Sequence, residues 1–543
     1  TLLLETDSPV YEGVRDSLAG FAELVKSPEH IHTYKISPLS LWNAASAGLT
    51  RKYILAVLTK YSRYEIPENI ILDIEDTIGR YGKVKLIKKE EECYLFSEDE
   101  LLITEIVNNS KVKPFLVHQV DHHYIKINRN FRGHVKQKLL ELGFPVEDLA
   151  GYKEGAPLAV ELRQKTHLTH REFHLRKYQT EAADIFYAGN TLKGGSGVIV
   201  LPCGAGKTIV GLRIMSMLNT ETLILVTNIT AARQWIEEII DKTGVTKDQV
   251  GEYSGEVKEL KPITIATYQI LVYRKKKQED FIHFNIFNKK NWGLIIYDEV
   301  HLLPAPLFRM VAELQSMKRL GLTATLIRED GKQGDVFSLI GPKKYDVPWK
   351  ELEKQGWIAK AVCYEIRVDM NRALRYKYAV AGSKEQFRIA STNPLKMDII
   401  RAIVQEHKND NVLVIGQYID QLQEIARDLN APLIYGKTKN RDREDLYRQF
   451  KEGTIKVLIV SKVANFAVDL PDANVAVQVS GTFGSRQEEA QRLGRILRPK
   501  SENNQAFFYS IITKESCEQI FAFKRQLFLV EQGYKYVIKD QIK

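Results

Sequence analysis

Two glycines, a lysine and a threonine in the stretch VIVLPCGAGKTIVGLRIM have the makings of a phosphate site. Gly204 and Gly206 let backbone N–H groups approach phosphate oxygens with no side chain in the way, Lys207 brings charge to the outer phosphates, and Thr208 offers a hydroxyl to magnesium. The strict pattern GxxxxGK followed by Ser or Thr is not met, because Leu201 stands where its first glycine belongs. The cradle is therefore read over Leu201, Pro202, Cys203, Gly204, Ala205, Gly206, Lys207 and Thr208. About ninety residues on, LIIYDEVH ends an apolar run in two adjacent carboxylates. Asp298 is assigned to magnesium alongside Thr208, and Glu299 to general base or water positioning. Further along, EEAQRLGRILRPK sets Arg495 and Arg498 three apart, on one face of a helix, suited to stabilising charge on a transferring phosphoryl group. A Gly-rich turn or an acidic strand end is ordinary by itself; the three together imply ATP hydrolysis with ATP and magnesium as ligands.

Such groups converge only if the elements carrying them do. Short apolar runs alternate with helix-length segments in two blocks, GVIVLP to RLGLTAT over about residues 196 to 325 and NVLVIG to AFFYSIIT over about 411 to 513. Val/Ile/Leu runs with this rhythm belong to parallel sheets buried on both faces, so the class expected is α/β, with ligands outside the carboxyl ends of the strands. Residues 1–170 differ: SLWNAASAGLTRKYILAVLTKY has helical spacing, GKVKLIKKEEECYLFSE reads as a hairpin, and a helix-plus-strand unit surrounds FRGHVKQKLLELGFP.

The 543 residues exceed one core and suggest three or four domains. A net charge of +10 is compatible with a polyanionic partner. Cys93, Cys203, Cys363 and Cys517 are too scattered for a disulfide framework or zinc site, which fits a reducing interior. No uncharged run approaches membrane-spanning length, and TLLLETDSPVYEG carries acids where a secretion signal needs basic residues.

The three motifs, in this order, resemble those of superfamily 2 helicases and translocases. FHLRKYQTEA is similar to that family's adenine-reading segment, which implies that Gln179 pairs with adenine, supported by Arg176 or Tyr178. VDLPDANV resembles motif V, implying a ribose or coupling contact for Asp469; Asn465 and Phe466 stand where relatives often carry Asp and Thr. YDEVH, IREDGK after TAT, and GSRQEEAQRLGRILR resemble one branch, the XPB repair helicases in their compact prokaryotic form. The resemblance implies two tandem RecA-like parallel-sheet motor domains preceded by small α+β N-terminal domains. It divides the chain into an XPB-type N-terminal domain (1–115), a damage-recognition-like domain (116–170), a RecA-like ATP-binding domain (171–345), a connector with a small thumb-like insertion (346–400) and a RecA-like C-terminal domain (401–543). It also implies DNA as partner, protein partners such as a repair nuclease or transcription factors, and a cytoplasmic, nucleoid-associated location in a prokaryote or a nuclear one in a eukaryote.

Coupling between nucleotide and DNA is expected to run through His301, Thr323, Ala324, Thr325 and Gln491. Arg328, Glu329 and Asp330 follow TAT; two acids make a poor phosphate clamp, so this triplet is read as a strand-separating edge, as the resemblance also implies. Thr227, Arg233 and Gln234 in VTNITAARQW, and Thr267 and Tyr268 in IATYQIL, are expected to meet DNA phosphates. The run Arg274-Lys275-Lys276-Lys277 reads as a solvated loop. The expected activity is that of an ATP-dependent DNA helicase or translocase in repair and transcription. A duplex translocase with little strand separation and an RNA helicase are the alternatives, since the ATPase motifs do not discriminate the sugar. Intact Lys207, Asp298, Glu299, Arg495 and Arg498 argue against a non-catalytic binding module.

Overall fold

The structure is a computed structural model. It describes all residues except 27–29, 91, 129–130, 192–193, 203, 275–281, 284–285, 305–316, 326–332, 348, 462–472, 482–492, 495, 497–503 and 541–543. The chain divides into two compact units, one of Thr1–Leu201 with Gly206–Val347, the other of Pro348–Lys543 with Pro202–Ala205.

The first unit begins with a three-stranded antiparallel sheet, β1 (Leu2–Glu5), β2 (Glu23–Lys26) and β3 (Ile31–Lys35), ordered β1-β3-β2. The helical stretch read from the sequence is two helices, Pro38–Ser46 and Arg51–Tyr61, separated at Gly48, whose φ of +89° no helix accommodates. A five-stranded sheet follows, β4 (Val84–Lys89), β5 (Glu92–Phe96), β6 (Leu116–Gln119), β7 (Tyr124–Ile127) and β8 (Val146–Leu149), ordered β6-β7-β5-β4-β8. The expected hairpin is β4–β5. Its inward residues Val84, Leu86 and Leu95 pack with Ile125, Ile127, Val135 and Leu139. The expected boundary at 115/116 is corrected by this sheet, because β5 pairs with β7 (Cys93 opposite Ile127, Phe96 opposite Tyr124) across it. Strand partners far apart in the chain leave no local periodicity to read.

Seven parallel strands form the first motor sheet: β9 (Ser196–Val200), β10 (Thr222–Val226), β11 (Val250–Tyr253), β12 (Ile263–Thr267), β13 (Leu294–Asp298), β14 (Lys318–Thr323) and β15 (Lys343–Asp346), ordered β11-β12-β10-β13-β14-β9-β15. Residues along β10 and β12 are buried throughout, as a sheet covered on both faces requires. The second unit repeats this plan with β16 (Lys360–Val368), β17 (Val412–Gly416), β18 (Leu433–Ile434), β19 (Val457–Ser461), β20 (Val475–Gln478), β21 (Gln505–Thr513) and β22 (Tyr536–Asp540), all parallel and ordered β18-β19-β17-β20-β21-β16-β22. The connector expected over 346–400 is therefore corrected in part: β16 lies inside this sheet, paired along nine residues with β21. Its alternating burial hid it from a search for continuous apolar runs.

A charged cluster is buried beneath the five-stranded sheet. Arg132 donates to Asp148 Oδ2 at 3.1 Å and Lys136 Nζ to the same oxygen at 2.8 Å, so one carboxylate serves two cations. Two guanidinium groups approach the Tyr152 ring, Arg132 at 5.7 Å and Arg319 at 5.6 Å from its centroid. Burial, with the Arg319 and Arg132 charges adding to it and Asp148 opposing, lowers Lys136 from 10.5 to about 7. Below pH 7 Lys136 is protonated folded or unfolded, but from there toward 10.5 the unfolded chain binds more protons, so this residue makes stability rise with pH. Near pH 10 the buried tyrosines, Tyr81 among them, whose hydroxyls are pushed up by burial, begin to oppose it. Denaturant midpoints between pH 7 and 9.5 should show wild type gaining on the order of 2–3 kcal/mol relative to Lys136→Met.

Candidate active site

In the centre of the first motor sheet, the ladder aligns the carboxyl ends of three strands. Thr323 of β14 stands opposite Val200 of β9, and Asp298 of β13 opposite Leu322. Beyond β9 the chain turns at once into a helix, Lys207–Leu218, after the Leu201 N–H donates to the Thr323 carbonyl at 3.0 Å. Gly204 and Gly206 both have φ of +81°, the left-handed region where a side chain is strained. A Cβ on Gly206 would also lie 2.6 Å from Gln179 Nε2. The phosphate loop and the proposed adenine-reading glutamine are thus neighbours, and glycine is needed for both reasons.

Gln179 is buried, and its Oε1 accepts from the Arg176 backbone N–H at 3.0 Å, capping the helix Lys177–Tyr187. Arg176 donates to the Tyr178 hydroxyl at 3.1 Å. Half of the amide expected to pair bidentately with adenine is thereby held by its own helix, while Nε2 faces the loop.

Lys207 Nζ lies 2.9 Å from Glu299 Oε1, joining the loop to the end of β13. Glu299 has φ of +48°, an αL conformation that costs a non-glycine residue about 1 kcal/mol or more and turns the chain sharply from strand to a short helical turn, Val300–Leu302. Burial would raise this carboxyl, but the Lys207 charge, with His301 and the Ala324 amide, outweighs it and holds Glu299 below the usual carboxylate range. Asp298 is the opposite case. Burial, then the adjacent Glu299 charge, push it up to about 6, against Lys207 and a hydrogen bond from Trp235. Its oxygens are both held: Oδ1 accepts from the Glu299 N–H at 3.0 Å and Oδ2 from Trp235 Nε1 at 2.9 Å.

Four of the five expected coupling residues, His301, Thr323, Ala324 and Thr325, lie here as well. Thr323 Oγ1 donates to the Thr325 carbonyl at 2.6 Å and accepts from the Thr325 N–H at 3.1 Å. Its one hydrogen being spent, its 2.7 Å contact with His301 Nδ1 requires that nitrogen to carry the proton. Glu299 Oε2 is 3.4 Å from the same nitrogen, so the nucleotide-side acid connects to the buried His301 and TAT in one chain.

Candidates for DNA contact fare unevenly. Thr227 follows β10, and next to it Asn228 caps the helix Ile229–Lys242. Arg233 carries Glu256 at 2.7 Å and Glu252 at 3.4 Å, so two acids of its own unit already occupy the guanidinium. Thr267 and Tyr268 are buried and do not offer the surface expected of them. Thr267 caps the turn Tyr268–Leu271, and the Tyr268 hydroxyl donates to the Asp298 carbonyl at 2.8 Å. Cys203, Asp469, Gln491, Arg495 and Arg498, with Arg328, Glu329 and Asp330, lie outside the described residues, as do Lys275–Lys277. Sequence reasoning missed Trp235 and Tyr268 as supports of the acidic strand end; the one available signal was Gly211, a glycine inside the P-loop helix, where alanine is the better residue by about 1 kcal/mol.

Residues 352–543 match the ERCC3/RAD25/XPB C-terminal helicase family, residues 172–328 the type III restriction enzyme res subunit, and residues 1–121 a helicase conserved C-terminal domain. The DNA 3'-5' helicase XPB of Mycobacterium tuberculosis is 51% identical over 541 residues, covering 99% of this chain and 96% of that one. The XPB helicase/translocase subunit of general transcription and DNA repair factor IIH from Enterocytozoon bieneusi is 34% identical, covering 96% of this chain and 88% of that one. Among solved structures, the DNA-bound ATP-dependent type ISP restriction-modification enzyme LlaBIII aligns with a TM-score of 0.51 at 13% identity, over 69% of this chain and 32% of that one, a likeness of fold. With 51% of residues identical over 96% of the mycobacterial protein, and residues 352–543 matching the family's C-terminal helicase model, the chain belongs to the XPB helicase family.

Proposed function

We propose that this chain is an ATP-driven DNA helicase or translocase acting on duplex DNA in nucleotide excision repair, with the 3'-to-5' polarity that the mycobacterial relative's name carries. The observation that carries the reading is the partly shielded Lys207–Glu299 pair at 2.9 Å beside Asp298. Lys207 is the phosphate-binding charge and Glu299 the acid that orients water, and in the resting chain each holds the other. ATP phosphates compete for Lys207; once it turns to them, Glu299 Oε1 is released to accept from the attacking water. Glu299 Oε2 lies 3.4 Å from His301 Nδ1, so the carboxylate keeps one oxygen on the coupling side while the other turns to water. Releasing Lys207 also removes the charge that keeps Glu299 low, which makes it the stronger base when it is needed.

The donors fit magnesium: hard oxygen atoms from the Thr208 hydroxyl and from Asp298, whose desolvated carboxyl gains most from a cation. When bound, magnesium would neutralise charge on the phosphate oxygens. His301 and Thr323 sense the Glu299 position and pass it to Ala324 and Thr325. Arg495 and Arg498 keep the transition-state role assigned from the sequence, Asp469 and Gln491 the coupling roles, and Arg328, Glu329 and Asp330 the strand-opening edge. Thr227 and Arg233 belong to the DNA path, Arg233 on condition that phosphates displace Glu252 and Glu256. A repair nuclease or a transcription factor is the partner class; the Enterocytozoon relative is named as a subunit of a general transcription and DNA repair factor. The location is cytoplasmic and nucleoid-associated in a prokaryote, nuclear in a eukaryote. No helix among the described residues is long and apolar enough to cross a membrane.

Steady-state ATP hydrolysis with no nucleic acid, single-stranded DNA, blunt duplex and RNA tests the reading. DNA should stimulate turnover, and Glu299→Gln should abolish it by about 10²–10⁴-fold, the usual worth of a general base; stimulation by RNA alone would overturn DNA as substrate. Gly206→Ala, through strain and collision with Gln179, should raise the KM for ATP about tenfold with a smaller change in kcat, since it disturbs binding in ground and transition state alike.

A further inference from the structure

Trp235 lies in the helix Ile229–Lys242 and is fully buried, yet its one polar atom is spent on Asp298 Oδ2 at 2.9 Å. The ring is wedged between the P-loop helix and β13. A Cβ on Gly211 would meet its Cη2 at 2.7 Å and its Cζ3 at 3.3 Å, with Ile296 Cδ1 at 3.6 Å on the same side. Gly211 thus forgoes helix propensity to let the indole through. The helix that carries Trp235 begins at Asn228, immediately after Thr227, the position assigned above to the DNA path.

We infer that Trp235 is a positioning residue that ties the helix next to the DNA path to the metal-binding carboxylate, so that the seating of this helix sets how well Asp298 receives magnesium. The inference rests on the ATPase reading above and adds a residue to it. The indole is rigid and its contacts on both sides are close-packed, so a shift of the helix moves the N–H relative to Asp298. A long flexible donor would absorb that shift. The other Asp298 oxygen is held by its neighbour's backbone, within β13's own turn, and does not report on any helix.

The test uses the full chain and Trp235→Phe, which keeps the ring and removes the N–H, with a fluorescent ADP analogue as probe. In EDTA the two proteins should bind the probe equally. Magnesium should tighten binding to wild type, and that tightening should fall roughly tenfold in Trp235→Phe, the usual size for loss of a hydrogen bond to a charged group. The fold-stimulation of ATP hydrolysis by DNA should fall with it while DNA affinity is unchanged. Gly211→Ala, which displaces the indole without removing the N–H, should shift both readouts the same way. Either readout unchanged in Trp235→Phe would overturn the inference and make Trp235 a packing residue. Wild type binding the probe with no magnesium effect would overturn the ATPase reading itself, a separate and recognisable failure.

Discussion

The in-register parallel ladder through β13, β14 and β9 is the constraint on which everything else in the first unit rests. Side chains from residues as distant in sequence as Lys207, Glu299 and Thr323 interact because three strands end at one level, Asp298 opposite Leu322 and Thr323 opposite Val200. A parallel sheet achieves this only with long crossovers, and it buries both faces while doing so. The apolar residues of these strands therefore frame a short edge where two carboxylates and a lysine meet.

At that edge the electrostatics are set up for exchange. Two adjacent acids in a desolvated place do not ionise alike. Glu299, paired with Lys207, is held low, and Asp298, desolvated and beside the Glu299 charge, is pushed up to about 6. The two carboxylates therefore differ: one is kept charged by a lysine, and the other, desolvated, is the one to which the proposed function gives the cation. The left-handed backbone at Glu299 separates them, sending the second acid off the strand direction toward Lys207 and His301.

The N-terminal modules have a similar dependence on buried charge. Asp148 at the end of the five-stranded sheet is held by Arg132 and Lys136, and across Tyr152 lies Arg319, whose Nε donates to the Leu339 carbonyl at 2.8 Å. Arg319 is near the start of β14, the strand that ends in Thr323. Buried ions of this kind give little net stability but punish any arrangement that leaves one unpaired, so they fix how the small sheet sits on the first motor sheet within this unit.

The sequence by itself determined ten of the fourteen strands of the two motor sheets and the loop glycines, and it singled out Lys207, Asp298, Glu299, His301 and Thr323 as candidates that the fold brings together, because continuous apolar runs and phosphate-binding spacing are local properties. It did not reveal β11, β15, β16 or β22, nor the sheet that spans 115/116, because these are defined by partners far along the chain. Tertiary structure alone decided that Thr267 and Tyr268 are interior supports, that Arg233 is already paired, and that Gln179 caps its own helix. It alone decided, too, that Trp235, an ordinary core tryptophan by pattern, points its only N–H at Asp298. Burial and hydrogen-bond direction depend on what packs across from a residue, and no spacing within the chain encodes that.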